Sequence, residues 1–256
     1  MASNPSSSLP LSGRTAIVTG ASSGIGRAIA SHLSSLGADV IIGYSSNPAP
    51  AEALASELTT SRAVPVKSDV SDPAAVQSLF DTAESAFGRP ASILVASAGV
   101  LDAKYPTLAD TSVEDWDKTF AVNTRGAFLC CREATKRLVR GGGGRIIVMS
   151  SSLVATFQPG YAAYTASKAA VEAMVKIIAK ELKGTAITAN CVAPGPVATD
   201  MFFAGKSEEV VKRSVEMNPM GRIGETDDIV PIVGFLCTDA AGWVNGQVIR
   251  VNGGSA

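Results

Sequence analysis

Residues 15–44, TAIVTGASSGIGRAIASHLSSLGADVIIGY, decide the fold of this chain. TAIVTG at 15–20 and DVIIGY at 39–44 are short, apolar, β-branched runs of the kind that form buried strands. Between them, IGRAIASHLSSLG at 25–37 has the apolar spacing of an amphipathic helix and ends in a glycine. The stretch therefore predicts a strand, a glycine-rich turn, a helix and a second strand.

The remainder of the chain continues this alternation of strands and helices. Further apolar runs predict strands at AVPVKSDV, SILVASAG, RIIVMS and AITANCVAPG, and the longest helical patterns cover residues 112–140 and 161–182. The predicted strands do not alternate apolar and polar residues, which is typical of a parallel sheet covered by helices on both faces. We therefore expect an α/β, doubly wound Rossmann fold with a mostly parallel sheet.

No internal repeat or linker divides the chain. We expect a disordered tail at residues 1–12, followed by a single domain at residues 13–256. Residues 195–225 have the least regular pattern, with Pro196 and Pro219 around a short helical segment. Irregular segments of this length in compact domains are commonly functional, so we interpret residues 195–225 as a lid over a site.

The composition excludes several classes of partner. The chain has 256 residues and a formal net charge of −1, and it contains no basic run that could neutralise the phosphates of a nucleic acid or an anionic membrane. No apolar stretch reaches about 18 residues, the length that a membrane-spanning helix needs. Residues 1–12 lack the features of a secretory or organelle-targeting segment, so we expect a cytoplasmic protein.

The few candidate metal ligands do not form a metal-binding pattern. Cysteine residues without CxxC spacing favour reduced structural thiols, and they are Cys130, Cys131, Cys191 and Cys237. His32 is the only histidine, so a Ser-His-Asp hydrolase or a histidine-ligated zinc site is nearly excluded. We expect no metal ion.

The glycine-rich turn TGASSGIG at 19–26 is suited to binding the phosphates of a dinucleotide. Its glycines would let the backbone approach a pyrophosphate, which the free amide groups at the start of the next helix would attract. The GxxxGxG spacing differs from the common GxGxxG fingerprint. The residues that we expect to contact the cofactor here are Gly20, Ser22, Ser23, Gly24, Ile25 and Gly26.

The end of the second predicted strand indicates which dinucleotide binds. NAD-binding proteins usually place Asp or Glu there to hold the hydroxyls of the adenosine ribose. No carboxylate stands there in this chain to repel a 2′-phosphate, and hydroxyl and amide groups can donate to it. The residues concerned are Tyr44, Ser45, Ser46 and Asn47. The sequence therefore favours NADP(H), although this stretch contains no Arg or Lys.

The segment SSSLVATFQPGYAAYTASK at 150–168 carries candidates for proton transfer. Tyr164 and Lys168 are four residues apart in a helical pattern, so their side chains share one face, and an ammonium beside a phenol lowers the pKa of the phenol. Tyr161 lies about 10 Å from the lysine by helical rise, so Tyr164 is the better candidate. The strand pattern leaves open which of the preceding serines takes part: Ser150, Ser151 or Ser152.

The motifs and their order resemble those of the short-chain dehydrogenase/reductase family, in its compact single-domain form. The resemblance runs from Gly13 onward and rests on TGASSGIG at 19–26, SDV at 68–70, ASAG at 96–99, VNTRG at 122–126, YTASK at 164–168, PGPVATD at 194–200 and NGQVIRVNGG at 245–254. It implies a sheet of roughly seven strands and an enzyme that transfers a hydride between NADP(H) and a carbonyl or alcohol group. Ser97 departs from the pattern, because the family often has an asparagine there that steadies the central sheet.

The resemblance also assigns roles to individual residues. It implies a catalytic tetrad of Asn123, Ser151, Tyr164 and Lys168, in which the family's spacing from the tyrosine selects Ser151. Tyr164 would exchange a proton with the carbonyl oxygen, which Ser151 would hold by a hydrogen bond. Lys168 would lower the tyrosine's pKa and hold the nicotinamide ribose, while Asn123 would hold a water. The other cofactor contacts that it implies are Asp69, Val70, Ala98, Gly99, Pro194, Gly195, Val197 and Thr199.

Apolar and aromatic residues around the tetrad predict a hydrophobic substrate. The candidates are Val100, Leu101, Leu153, Phe157 and Tyr161, with Met201, Phe202, Phe203 and Met217 from the expected lid. Our leading hypothesis is an NADP(H)-dependent carbonyl reductase or alcohol dehydrogenase for small apolar ketones, aldehydes or quinones. The alternatives are a 3-oxoacyl-thioester reductase of the acyl-carrier-protein type and a non-catalytic NADP-binding sensor or scaffold. By analogy with the family we expect a homotetramer, or a homodimer, through the helices at 112–140 and 161–183.

Overall fold

A parallel sheet forms the centre of the structure, a computed structural model that describes residues 9–256. Its seven strands lie in the order β3-β2-β1-β4-β5-β6-β7, and every neighbouring pair is parallel. They are β1 (Thr15–Thr19), β2 (Asp39–Tyr44), β3 (Ala63–Lys67), β4 (Ile93–Ala96), β5 (Arg145–Met149), β6 (Thr188–Pro194) and β7 (Val248–Val251). The predicted doubly wound α/β fold is confirmed.

Helices connect the strands, and local sequence signals set their ends. They are α1 (Gly24–Ser35), α2 (Ala49–Glu57), α3 (Pro73–Phe87), α4 (Val113–Phe120), α5 (Ala127–Arg137), α6 (Leu153–Thr156), α7 (Ala162–Glu181), α8 (Asp200–Phe203), α9 (Glu208–Glu216) and α10 (Thr226–Cys237). In α3, the Asp72 side chain accepts a hydrogen bond from the Ala74 amide at the start. Gly88 ends α3 in the left-handed conformation that glycine favours.

Two apolar clusters cover the two faces of the sheet. Helices α1, α2 and α10 pack on one face, and α3, α5 and α7 pack on the other. Representative buried residues are Ile29, Leu54 and Val233 on the first face, and Leu79, Leu129 and Val175 on the second. Because helices cover both faces of the sheet, the strands are apolar on both sides and no alternation is seen in the sequence. Each fully buried side chain of this kind contributes roughly 1.5–3 kcal/mol.

The strand order changes direction between β1 and β4. From β1 the chain continues to β2 and β3 on one side, while β4 begins the other half of the sheet. The loops that follow β1 and β4 therefore diverge and leave a crevice at the carboxyl ends of the strands, where doubly wound folds bind ligands. The glycine turn at 20–26 and the loop at 97–99 border this crevice.

Residues 9–12 are part of the fold, which differs from the sequence prediction. Leu11 is fully buried, and its backbone amide donates to the carbonyl oxygen of Leu36 after α1 (2.8 Å). The disordered tail expected at 1–12 is therefore wrong for residues 9–12, because burial of an apolar side chain outweighs the polar composition of the segment. Residues 1–8 lie outside the described part of the chain.

The long helix expected at 112–140 is interrupted. A π-helical turn at Ala121–Gly126 separates α4 from α5, and α5 already ends at Arg137. Val70 packs against the end of this turn, since a Cβ atom at Gly126 would lie 2.6 Å from a Val70 methyl carbon. Such turns often occur at functional sites, and this one contains Asn123, which is 1% exposed.

Candidate active site

The glycine turn between β1 and α1 packs against the loop after β4. Gly20 has a φ of +62°, and a Cβ atom there would lie 2.8 Å from the Ala98 Cα atom, so only glycine permits this contact. A Cβ atom at Gly26 would overlap the carbonyl oxygen of Gly20. No side chain caps α1, so its first amide groups are available to an anion. Ser22, Gly24 and Ile25 are half-buried in the turn and Ser23 is exposed.

We expect Gly26→Ala to lower the free energy of unfolding by at least about 2 kcal/mol, because the added methyl group meets backbone that cannot move aside. Urea denaturation followed by circular dichroism measures this change. Gly242→Ala is the matched control, since Gly242 has a φ of −59° and its added Cβ atom would lie 3.2 Å from the nearest atom. The control is expected to lose less than about 1 kcal/mol. Equal stability losses in the two variants would contradict the tight packing of the turn.

The loop after β2 is the predicted binding region for the adenosine ribose. Ser45 and Ser46 are exposed there. The Asn47 side-chain oxygen accepts a hydrogen bond from the Ala49 amide (3.1 Å) at the start of α2, and Asn47 is exposed as well. The hydroxyl groups of the two serines and the side-chain nitrogen of Asn47 are therefore all accessible donors for a ligand.

A lysine that the sequence reasoning overlooked lies beside this loop. Lys67 ends β3, is exposed, and is paired in register with Tyr44 at the end of β2. It brings a positive charge to the stretch that contains no Arg or Lys of its own. In the next loop, Asp69 accepts hydrogen bonds from the amide and hydroxyl of Ser71 (2.9 and 2.7 Å), and Val70 is buried.

Asn123 is held between the loop after β4 and α7. Its side-chain oxygen accepts a hydrogen bond from the Val100 amide (2.8 Å), and its side-chain nitrogen donates to the Val100 carbonyl oxygen (3.0 Å) and the Ser167 hydroxyl (3.1 Å). A Cβ atom at Gly99 would lie 3.3 Å from the Asn123 oxygen and 3.6 Å from the Lys168 Nζ atom. The absence of a side chain at Gly99 therefore keeps the space between these two polar groups open.

Tyr164 and Lys168 meet on one face of α7. The Lys168 Nζ atom lies 5.7 Å from the centre of the Tyr164 ring and donates to the carbonyl oxygen of Met149 at the end of β5 (2.8 Å). The Ser151 hydroxyl lies next to the Tyr164 side chain, where it acts to lower the pKa of the phenol. Of the four predicted catalytic residues, Ser151 and Lys168 thus both lie next to Tyr164.

The structure separates the three serines that the sequence could not distinguish. Ser150 donates to the Glu172 carboxylate (2.6 Å), and Ser152 donates to the Ala193 carbonyl oxygen (3.1 Å). Both hydroxyl groups are buried in these contacts. Ser151 is the serine directed towards Tyr164, in agreement with the spacing of the family.

Burial controls the protonation of the tyrosine and the lysine. It raises the pKa of Tyr164 to about 12, against the opposing effect of the Ser151 hydroxyl, and it lowers the pKa of Lys168 to about 8. The largest effect on the pKa of Tyr164 is the desolvation of its phenolate, and the lowering of this pKa by Lys168 stays a prediction. At neutral pH Tyr164 is therefore an uncharged phenol that carries a proton.

A cavity of about 790 Å³ opens beside these residues. Of the predicted catalytic and cofactor residues, it is lined by Ser151, Tyr164, Lys168, Ile25, Pro194, Gly195, Val197 and Thr199. Of the predicted substrate residues, it is lined by Leu101, Leu153, Tyr161, Met201, Phe202 and Met217. Residues from the expected lid at 195–225 form much of its wall.

Three residues predicted to contact substrate do not line the cavity. Phe157 ends α6 in a left-handed conformation (φ +50°), which leaves its ring 73% exposed. Phe203 is 48% exposed on α8 and packs its ring against the edge of Phe202. Val100 takes part through its backbone in the hydrogen bonds with Asn123. For these three positions the prediction was wrong, because apolar character alone does not determine the direction of a side chain.

Tyr105, Lys206 and Arg213 line the cavity without having been predicted. Tyr105 follows β4 in an irregular loop, while Lys206 and Arg213 belong to the segment at 195–225. No motif surrounds any of them in the sequence. Only the folding of the two segments over the cavity shows that they belong to the site.

Other candidate sites are scarce within residues 9–256. In this part of the chain no group of three or more His, Cys, Asp or Glu side chains could hold a metal ion. No helix between residues 9 and 256 is long and apolar enough to cross a membrane. The four cysteines are buried free thiols.

The residues at the crevice fit a dinucleotide cofactor. The uncapped start of α1 offers free amide groups for a pyrophosphate, and the glycine turn holds the backbone close to them. Lys168 lines the cavity that contains Tyr164 and would hold a ribose there, beside Gly99, which lacks a side chain. This donor set is that of a cofactor cradle with a reaction site at its end.

Comparison with known proteins agrees with this geometry. A family model described as Enoyl-(Acyl carrier protein) reductase matches residues 20–256. An Arabidopsis thaliana protein named NADPH-dependent aldehyde reductase-like protein, chloroplastic, is 60% identical, covering 96% of this chain and 95% of the relative. A Short-chain type dehydrogenase/reductase from Picea abies is 61% identical, covering 95% of this chain and 93% of the relative.

A solved structure supports the same relationship. The crystal structure of a short chain dehydrogenase from Burkholderia cenocepacia, in complex with NADP, is 34% identical and superposes with a TM-score of 0.89. The match covers 96% of this chain and 99% of that one. Together with the ordered motifs and the crevice described above, these similarities establish the relationship over nearly the whole length. The chain belongs to the short-chain dehydrogenase/reductase family.

Proposed function

We propose that this enzyme transfers a hydride between NADP(H) and small apolar or aromatic aldehydes and ketones, with Tyr164 as the general acid and base. The observation that carries the proposal is the cavity of about 790 Å³ that brings Ser151, Tyr164 and Lys168 together beside the glycine turn. The chain is an oxidoreductase that acts on CH–OH or C=O groups, as its reductase relatives indicate. These relatives contradict the alternative of a non-catalytic NADP-binding sensor or scaffold.

NADP(H) is the cofactor. The amide groups at the start of α1 would hold its pyrophosphate, and the hydroxyls of Ser45 and Ser46 with the nearby Lys67 would hold its 2′-phosphate. When bound, the nicotinamide supplies or accepts the hydride. The Arabidopsis relative with NADPH-dependence in its name and the Burkholderia structure with NADP support this cofactor.

The residues of the chain supply the proton and the geometry. The carbonyl oxygen of the substrate takes its proton from the uncharged Tyr164 phenol as negative charge develops on it. Ser151 donates a hydrogen bond to the same oxygen and so stabilises the transition state. The ammonium of Lys168 then stabilises the tyrosine's phenolate, and Asn123, next to Gly99, would hold a water that returns the proton.

The wall of the cavity favours an apolar substrate body. Leu101 and Leu153 lie near the catalytic side chains, while Met201, Phe202 and Met217 come from the segment at 195–225. These side chains can exclude water from the reacting carbonyl and bind an alkyl chain or an aromatic ring. A neutral sugar would leave those hydroxyl groups that face these apolar side chains without partners.

A second candidate is the 3-oxoacyl-thioester reductase. The family model that matches residues 20–256 is described as Enoyl-(Acyl carrier protein) reductase, which supports an acyl-carrier-protein thioester as the substrate class but does not name reduction of a 3-oxo group. The aldehyde reductase named in Arabidopsis, at 60% identity, is the stronger indication for a free carbonyl compound. Both functions use the same tetrad, so they differ only in what the cavity holds.

A substrate panel tests the proposal. We expect purified protein with NADPH to reduce alkyl and aromatic aldehydes with kcat/KM at least about tenfold above that for sugar aldehydes, measured by NADPH absorbance. An acetoacetyl thioester serves as the matched comparison for the second candidate. Turnover of the thioester far above that of every free aldehyde would replace the leading function with the second one. NADPH binding without turnover of any of these compounds would contradict both.

The assembly and the compartment stay predictions. Phe128 on α5 and Ile177 on α7 are 45% and 56% exposed, which supports the expected association through these helices into a homotetramer or homodimer. The sequence predicts a cytoplasmic location, whereas the name of the Arabidopsis relative contains the word chloroplastic.

A further inference from the structure

Lys206 occupies an aromatic cage in the wall of the cavity. Its Nζ atom lies 4.5 Å from the ring centre of Tyr105, 4.7 Å from that of Phe202 and 5.9 Å from that of Tyr161. The same atom donates to the Tyr105 hydroxyl and to the Phe202 carbonyl oxygen, both at 2.6 Å. An ammonium has three N–H donors, so one donor is left for a ligand.

The cage is rigidly built. The Tyr105 hydroxyl accepts from Lys206 and donates to the Ala204 carbonyl oxygen (2.7 Å), so both of its hydrogen-bonding functions are used. Tyr105 has a φ of +50°, a conformation that is rare outside glycine and has a cost in free energy. Gly160 allows it, because a Cβ atom there would lie 3.0 Å from the Tyr105 carbonyl oxygen. A strained backbone and a close packing contact thus fix the ring that orients the ammonium.

The charge on Lys206 has no counter-ion in the part of the chain that the structure describes. The ion pairs within residues 9–256 do not include Lys206, and no Asp or Glu side chain lines the cavity. Burial lowers the pKa of Lys206, which is the expected effect of removing a cation from water without an anion beside it. Arg213 lines the same cavity and adds a second positive charge. The cavity is therefore complementary to an anion.

The cage and the catalytic residues share one space. Tyr161 belongs to the cage and precedes Tyr164 by less than one helical turn, and both tyrosines line the cavity together with Lys206. A substrate that presents its carbonyl carbon at Tyr164 can therefore extend past Tyr161 towards Lys206. The apolar residues between the two ends would contact the middle of such a molecule.

We propose that Lys206, assisted by Arg213, forms a distal subsite for a carboxylate, so that the preferred substrates are aldehydes or ketones whose apolar chain ends in a carboxylate. This inference rests on the proposed carbonyl reductase function and specifies its substrate class. A carboxylate suits the subsite because the ammonium offers one free N–H in an apolar surrounding. A carboxylate is a compact anion, so few of its acceptor positions are left without a partner there. A phosphate dianion would require more donors than the cage offers.

The alternative role for Lys206 is structural. Its contacts join the loop that contains Tyr105 to the segment at 195–225, so it could act only as a tie between two walls. A tie would affect every substrate equally, whereas a subsite acts on anionic substrates alone. The experiment must therefore compare two substrates that differ only in charge.

The test uses a medium-chain aldehyde that ends in a carboxylate and its methyl ester. In the wild-type protein with NADPH, we expect a KM about tenfold lower for the acid than for the ester, and this advantage is expected to shrink as salt is added. Lys206→Met is expected to raise the KM for the acid about tenfold and to lower kcat/KM for the ester several-fold less than for the acid. Lys206→Arg keeps the charge and is expected to retain the preference for the acid.

Lys212→Met is the matched control, because Lys212 lies on α9 with a side chain that is 79% exposed and it does not line the cavity. It is expected to leave the preference for the acid unchanged. If Lys206→Met lowers kcat/KM equally for acid and ester, Lys206 is a structural tie and the subsite is refuted. A wild-type protein without preference for the acid refutes it as well.

A binding measurement separates the subsite from the reaction. Calorimetry of the NADP⁺-loaded protein with the saturated monocarboxylic acid of the same length, and with its methyl ester, requires no turnover. We expect the acid to bind about tenfold more tightly than the ester, and Lys206→Met to remove this difference. Selective acid binding without turnover of either aldehyde would contradict the proposed function alone. Turnover of both aldehydes without selective acid binding would contradict the subsite alone.

Discussion

Tyr164→Phe is expected to lower kcat for aldehyde reduction by about 10³-fold and to leave the affinity for NADPH within about threefold. The substitution removes the one hydroxyl group that can protonate the carbonyl oxygen and keeps the ring that fills the buried site. Because burial holds the pKa of Tyr164 near 12, the wild-type phenol is protonated throughout the working pH range. Steady-state NADPH oxidation gives kcat, and fluorescence titration gives the affinity for NADPH.

Tyr161→Phe provides the comparison within the same segment. Tyr161 lines the cavity and packs its ring against Tyr105 at 5.0 Å, but it lacks a lysine one helical turn ahead. Its loss is expected to stay below about tenfold and to appear mainly in KM. Comparable losses of kcat in the two variants would refute the assignment of Tyr164 as the proton donor. Circular dichroism spectra of both variants show whether the fold is intact.

The fold could be predicted from local patterns because each signal acts over a few residues. The glycine turn, the continuous apolar strands and the helix at 25–37 all follow from nearest-neighbour chemistry, and they fix the β–α–β order. The interruption at Ala121–Gly126 was not predictable, because the pattern of its residues is helical. It depends on packing against Val70, a residue far away in the chain.

The residues of the candidate site also fall into two groups, those that local spacing identifies and those that only the folded chain brings together. Tyr164 and Lys168 could be found from their spacing, and the family's spacing selected Ser151 among three adjacent serines. Tyr105 and Lys206 could not be found, because they meet only after two irregular segments fold over the cavity. The effect of burial on the pKa of Tyr164 could not be predicted for a related reason, since the sequence shows a neighbouring charge but not the depth of burial.

The pH dependence of the wild-type enzyme is expected to report Lys168. Burial lowers the pKa of Lys168 to about 8, so its ammonium is present below that pH and is lost as the pH rises. We expect kcat/KM for NADPH to be constant from about pH 6 to about pH 7.5 and to fall about tenfold per pH unit well above pH 8. Tyr164 does not cause this fall, because its pKa of about 12 lies far above the range.

Lys168→Met is expected to lower kcat/KM about 10²-fold or more at neutral pH and to remove the alkaline fall, because no ammonium is left to titrate. Burial lowers the pKa of Lys206 in the cavity wall as well. With a neutral aldehyde, Lys206→Met is therefore the control that should retain the fall above pH 8. If the fall disappears in Lys206→Met but persists in Lys168→Met, the titrating group is the lysine in the cavity wall. The charge next to Tyr164 would then not control the rate.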